Sequence, residues 1–408
     1  MLNIVSASSS VPPTVIVVLG MHRSGTSVLT RAMETLGAAL GSKLLPAETG
    51  NNDKGFFEDV DINRINIEVM HSAGFDWDTM GPIDLGGIDG HLLDDLRIRA
   101  VSLLREKCDG KIFALKDPRI ARLMPFWQPI FDSLQSRIVY AIAVRNPISV
   151  ARSLAKRNGF AEEKTHTLWL AHTVSALEAT HDLTRTLVSY DALMNAPRPE
   201  LERVSSELGL PLIDAEVESF EREFLDDGLR HTRFAPQDVD FLQTLPRQAK
   251  ALFSALDETV RNKLPANNAT LGAALADARS YLDDIAPLLR YEWQLDRRFH
   301  SAQQSARACN EALQEQIRAT DSLASTVESL NNAIRVGEQQ QQALSEALQS
   351  YRTQFEATHQ MLTASEIEAA KLRAEVDGLR RLQAETLAST SWRVTSPLRA
   401  ARRLLKRT

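Results

Sequence analysis

The stretch VIVVLGMHRSGTSVLTRAM, residues 15–33, decides the fold. It is an apolar, β-branched run, then a tight polar turn, then a helical pattern. Gly20 and Gly25 have the spacing of the phosphate-loop motif G-x-x-x-x-G-K-[ST], and Ser27 fills its last position. The lysine position, however, holds Thr26, and an arginine, Arg23, precedes the second glycine by two residues.

Runs of the same kind recur at 111–117 (KIFALKD), 137–145 (RIVYAIAVR) and 186–190 (TLVSY). They lack strict alternation, which suits strands covered on both faces of a parallel sheet. Helical patterns at 26–38, 92–107, 147–157 and 166–182 separate them. Alternation of this kind predicts an α/β domain, a P-loop-like parallel sheet flanked by helices, over residues 14–295. A polar lead, 1–13, precedes it and reads as flexible.

The composition shifts near residue 296. From there to 388 proline is absent and Ala, Gln, Glu and Leu dominate. A heptad seam runs through Val327, Leu330, Ile334, Gly337, Gln341, Leu344 and Leu348 to Leu379, with twelve of sixteen positions apolar. Such a repeat predicts a long coiled coil, and a rod of about 130 Å needs a partner helix, most simply from a second copy in a homo-oligomer. One long helix packed on its own domain is the plainer reading. Residues 389–408 carry six basic residues, no acid, Trp392 and a Ser396-Pro397 helix start. They read as a basic amphipathic anchor for an anionic membrane surface, or else as a solvated tail.

The whole chain has 408 residues and a net charge of −6, which argues against nucleic acid as a partner. Two cysteines, Cys108 and Cys309, form no disulfide framework. No leader and no membrane-spanning stretch is legible. The expected location is cytoplasmic, peripheral at the inner membrane face.

A loop without its lysine suits a less charged group. A transferable phosphoryl group carries about two negative charges and calls for a metal, whereas a sulfuryl group carries about one. Arg23, Ser24, Thr26 and Ser27 offer a guanidinium fork and several hydroxyls for that lighter task. Here the residues meet a known family. GMHRSGTSVLTRAM resembles the 5'-phosphosulfate loop of sulfotransferases that use 3'-phosphoadenylyl sulfate (PAPS), in the form found in the tyrosylprotein and bacterial glycan branches. FALKDPRI (113–120) is similar to the family's strand-end lysine block, which implies that Lys116 stabilises charge on the leaving phosphate. IAVRNPISVARSLAKR (142–157) resembles the 3'-phosphate block, implying Arg145 and Ser153 as ligands, with Arg152 and Arg157 as a solvated helix face.

Tyr190 resembles the adenine-proximal tyrosine, and core packing is its other reading. The family places a catalytic acid between loop and lysine. Glu58, after Phe56-Phe57, is the expected base, with Asp59 and Asp61 behind it; a helix-start charge is the alternative role. The candidate site is thus Glu58, Lys116 and Arg23 for chemistry. His22, Arg23, Ser24, Gly25, Thr26, Ser27, Arg145, Ser153 and Tyr190 would hold the donor, and no metal is expected. His166 and His172, beside Trp169, read as structural, and Arg230, His231 and Arg233 as a basic loop.

The resemblance implies sulfuryl transfer to a hydroxyl, with a glycan or lipid-linked glycan of surface-polysaccharide assembly as acceptor. A P-loop kinase or NTPase, with Asp117 as its metal acid, and a non-catalytic scaffold on a coiled coil are the competing classes.

Overall fold

The computed structural model describes residues 12–48, 52, 54–225, 234, 236–334 and 341–388. The lead up to residue 11, the loop with Arg230, His231 and Arg233, and the basic tail lie outside the described residues.

Five strands form one parallel sheet: β1 Thr14–Leu19, β2 Ala38–Ala39, β3 Ile112–Lys116, β4 Arg137–Val144 and β5 Arg185–Ser189, in the order β2-β3-β1-β4-β5. The apolar run that opened the reading is the central strand, and every residue of β1 is buried. Val15, Val17 and Leu19 pack into one core and Ile16 and Val18 into the other, so both faces of the sheet are covered. That burial explains why the run does not alternate with polar residues.

The helices that cover the sheet are α1 Thr26–Ala32, α2 Val60–Ser72, α3 Gly90–Lys107, α4 Met124–Asp132, α5 Pro147–Asn158, α6 Glu162–Ala179, α7 Tyr190–Asn195, α8 Pro197–Leu208 and α9 Asp214–Ser219. They are followed by α10 Arg247–Arg261, α11 Ala269–Ile334 and α12 Gln341–Ala388. Among the described residues no helix is long and apolar enough to cross a membrane.

The chain divides into two units, Met1–Leu289 and Arg290–Thr408. The sheet and both cores belong to the first, with Leu271, Leu275 and Ala278 of α11. In the second, the expected single rod is two helices. Phe299 lies 5.9 Å from the Arg380 guanidinium, and Ser365 donates to Cys309 Sγ at 3.5 Å. Residue numbers rise on one helix as they fall on the other, so the pair is antiparallel. The sequence seam is weakest at Gly337 and Gln341, and α12 begins at Gln341.

Candidate active site

Strand ends β1, β3, β4 and β5 bring the sequence blocks to one edge of the sheet, where ligands bind in open parallel sheets. Lys116 ends β3 opposite Val18 of β1, Arg145 follows β4, and Tyr190 follows β5.

The loop after β1 is tightly built. Arg23 takes a left-handed backbone (φ 68°), uncommon for a residue with a side chain and a frequent companion of binding loops. Gly25 has φ 86°, and a β-carbon there would stand 2.3 Å from the Tyr190 ring. Only glycine satisfies both the backbone and that contact. Thr26, in the lysine position, is buried with its methyl against Gly20. Among the described residues, Ser24 Oγ and His22 Nε2 are buried with no hydrogen-bond partner.

On one side of the loop, Arg23 Nε donates to Ser153 Oγ at 2.8 Å, and Arg145 donates to the Arg23 carbonyl at 2.7 Å. The Arg145 guanidinium lies 4.1 Å from the Tyr190 ring centroid. Trp169 Nε1 donates to the Arg145 carbonyl at 3.2 Å. Burial, with Arg157 and Arg145 nearby, pulls the Arg23 guanidinium down to about 10. A cavity of about 270 Å³ adjoins this cluster, lined by Arg145, Asn146, Ser189, Asp191, Phe234 and Phe253 among others.

On the other side, Lys116 Nζ donates to Glu58 Oε1 at 2.7 Å, to the Phe56 carbonyl at 2.9 Å and to Ser27 Oγ at 3.3 Å. Both charged side chains of this pair are nearly sealed, at 2% and 7% exposure. Phe57, left-handed at φ 55°, precedes Glu58. Burial pushes the Glu58 carboxyl above the usual carboxylate range, with Lys116 pulling against it. Asn63 of α2 donates to Glu58 Oε2 at 3.2 Å and to Asp117 at 3.0 Å; Asn66 donates to Asp117 at 3.0 Å and accepts from Trp127 Nε1 at 2.8 Å.

The three candidate acids are separated by this geometry. Asp59 caps α2, accepting from the Asp61 and Ile62 amides, and pairs with Lys107 at 2.6 Å. Asp61 pairs with Lys43 at 3.6 Å. Glu58 alone of the three is paired with Lys116. Asp117 is fully buried and accepts from Asn63, Asn66 and Arg119, the last at 3.1 Å.

His22 packs on Trp77, with ring centroids 4.5 Å apart, and faces His172 at 6.4 Å. Burial first, then Arg119 and His172, holds it well below the usual histidine range, so it is neutral. His172 donates Nδ1–H to the Leu168 carbonyl at 2.8 Å and is pulled by burial to about 3.

Sequence reasoning did not pick out Asn63, Asn66, Trp77, Arg119 or Trp127. The two asparagines carry a signal, since they interrupt the buried face of α2 formed by Ile62, Ile65, Val69 and Met70. Arg157, expected on a solvated face, instead lies half-buried over the Trp77 ring at 5.2 Å.

No protein-family model matches the chain, and neither does any curated protein. Among solved structures, it is similar to the sulfotransferase domain from the Synechococcus PCC 7002 olefin synthase, at 16% identity over 63% of this chain and 98% of that one, with a TM-score of 0.37. It is also similar to the sulfotransferase domain from the curacin biosynthetic pathway, at 16% identity over 63% of this chain and all of that one (100%), again with a TM-score of 0.37. The chemistry therefore rests on the side chains described above.

Proposed function

We propose that this chain is a sulfotransferase that moves a sulfuryl group from PAPS to a hydroxyl of a glycan. The observation that carries the reading is Lys116. One ammonium group at a strand end touches both a phosphate-loop hydroxyl, on Ser27, and a buried acid, Glu58. Ser24 Oγ and His22 Nε2 beside the loop, buried and without a hydrogen-bond partner among the described residues, suit an anionic donor. Arg23, Arg145 and Ser153 are the donor-holding set, and the cavity beyond Arg145 has room for the base end of a nucleotide.

PAPS supplies the activated sulfuryl group. The acceptor oxygen bonds to sulfur as the bond from sulfur to the phosphate oxygen breaks. The acceptor proton passes to Glu58, and the electron pair leaves on the phosphate oxygen, where Lys116 offers positive charge. A Glu58 carboxyl held above its usual range is a stronger base than an exposed one. The kinase reading would enlist Asp117 for a metal, but that carboxylate is already occupied by two asparagines and Arg119.

The acceptor is proposed to be a glycan or lipid-linked glycan of surface-polysaccharide assembly. The tail 389–408 is proposed to attach the protein to an anionic membrane at the inner face, and the helical unit to join copies into a homo-oligomer.

The test has two parts. Titration with adenosine 3',5'-bisphosphate without divalent metal should show binding, and Mg²⁺-dependent ATP binding in its place would move the chain to the kinase class. Labelled PAPS offered with cell-envelope glycan fractions should give sulfate transfer that Glu58→Gln lowers by about 10²–10⁴; undiminished transfer would remove Glu58 as base.

A further inference from the structure

Asp117 is fully buried just past the end of β3, next to Lys116, and neither donor binding nor the proton transfer uses it. Its place follows from the local sequence. Asp117-Pro118 starts a tight turn, Pro118–Ala121, and the Asp117 side chain accepts from the Arg119 amide at 2.9 Å. On α2, Asn63 and Asn66 are three residues apart, so they share the face that meets this turn.

One amide ties two carboxylates together. Asn63 Nδ2 donates to Glu58 Oε2 at 3.2 Å and to Asp117 Oδ2 at 3.0 Å, which uses both of its protons. Asn66 donates to the same Asp117 oxygen at 3.0 Å, and the Trp127 indole fixes which way that amide faces through its 2.8 Å bond to Asn66 Oδ1. Arg119 spans the two acids: its guanidinium meets Asp117 Oδ1 at 3.1 Å and reaches Glu58 Oε2 at 3.9 Å. Glu58 is therefore held at both oxygens, Oε1 by Lys116 at 2.7 Å and Oε2 by Asn63.

Two carboxylates and two cations make up this buried group. Lys116 and Arg119 favour the ionised form of Glu58, and Asp117 opposes it. Of the other charged neighbours, Asp59 pairs with Lys107 of α3, Arg157 of α5 interacts electrostatically with Glu58, and Asp76 acts on Arg119. His22, near both cations, is neutral. Without Asp117, two cations would hold one carboxylate, and a carboxylate so stabilised is a weak base.

We propose that Asp117 is a positioning residue for the transfer: through Asn63 it fixes the orientation of Glu58, and its charge balances Arg119 so that Glu58 remains an effective base. This rests on the sulfuryl-transfer reading for the role of Glu58, but the network stands on its own contacts.

The experiment follows Glu58 in the full chain by two readouts. One is an NMR titration of protein labelled with ¹³C at the glutamate carboxyls, the Glu58 resonance being assigned by its loss in Glu58→Gln. The other is the pH–rate profile of sulfate transfer from labelled PAPS to cell-envelope glycan fractions. Asp117→Asn removes the opposing charge, so the Glu58 midpoint and the acid limb should both move down by about one pH unit. Arg119→Gln removes a cation, so both should move up by about one unit, and the double variant should return close to the parent. Asn63→Leu should lower kcat about tenfold at unchanged donor KM, since it frees the base to turn. A merely structural role would lower rates without moving the midpoint in opposite directions. Melting curves report whether each variant folds; where Asp117→Asn does not, Arg119→Gln and Asn63→Leu decide. A Glu58 midpoint unmoved in either charge variant, or an unchanged kcat in Asn63→Leu, would overturn the proposal. Absent sulfate transfer in the parent chain, with the opposite midpoint shifts present, would instead remove the sulfuryl-transfer reading and leave Asp117 assigned to Glu58.

Discussion

Arg145 and Lys116 stand at the ends of the two strands that flank β1, yet they are held differently. Lys116 is closed into an ion pair with Glu58 and a further bond to the Phe56 carbonyl. Arg145 meets the Arg23 carbonyl and the face of Tyr190. A carbonyl and a ring orient a guanidinium, whereas a buried carboxylate offsets an ammonium until something else claims it. In the proposed sulfuryl transfer, the arginine side would hold a standing anion and the lysine side would respond to charge that appears during the reaction. Preorganised donors of the second kind are worth most in the transition state.

That contrast can be broken in three ways. The largest effect is expected from Lys116→Met, which should cut turnover by about 10²–10³ while leaving affinity for the bisphosphate product within a few-fold. The same variant removes the nearer of two cations that oppose burial at Glu58, Arg119 at 3.9 Å being the other. Since the base acts ionised, activity is lost as pH falls through its folded pKa, and that acid limb should move to higher pH. A pH–rate profile with an unmoved limb, or a loss confined to binding, would reverse the roles assigned to the two sides.

Arg145→Ala should show the opposite pattern. Donor binding should weaken by about 2–3 kcal/mol in a titration, with turnover at saturating donor much less changed. Equal donor affinity in the variant would take the arginine side out of binding.

A third effect, read in stability rather than in activity, comes from pH and concerns His172. In the native chain it is held near about 3, whereas an unfolded histidine takes its proton near ~6.5. The stability due to the neutral ring is therefore present above ~6.5 and is lost as pH falls toward 3, at about 1.4 kcal/mol per pH unit. Urea unfolding at several pH values should show this slope, and His172→Gln should flatten it. An unchanged slope would mean that the ring is protonated in the native state.

The placement of the candidate residues was legible because each strand block is short, apolar and finished by the residue singled out. The runs that lead to Lys116, Arg145 and Tyr190 became β3, β4 and β5, with those residues at or just past their ends. β2 has only two residues and no pattern of its own. Trp77 sits in an irregular segment between α2 and α3, where no period announces which way a side chain points. Glu58 and Asp59 are adjacent acids with one kind of charge; a capping bond and Lys107 claim Asp59, and Lys116 claims Glu58. Only the folded chain decides that division. The helical unit shows a different limit. A 3-4 apolar repeat is the same whether the partner helix runs parallel or antiparallel, and whether it comes from another copy or from the same chain. The repeat therefore announced helices and left their pairing open.

The Tyr190 ring fills the space where a β-carbon at position 25 would stand, and the same ring lies beneath Arg145. Positions 25 and 190 are thus one heritable unit. A lineage that gained a side chain at the first would have to shrink the second, and would lose the platform under its arginine in the same step.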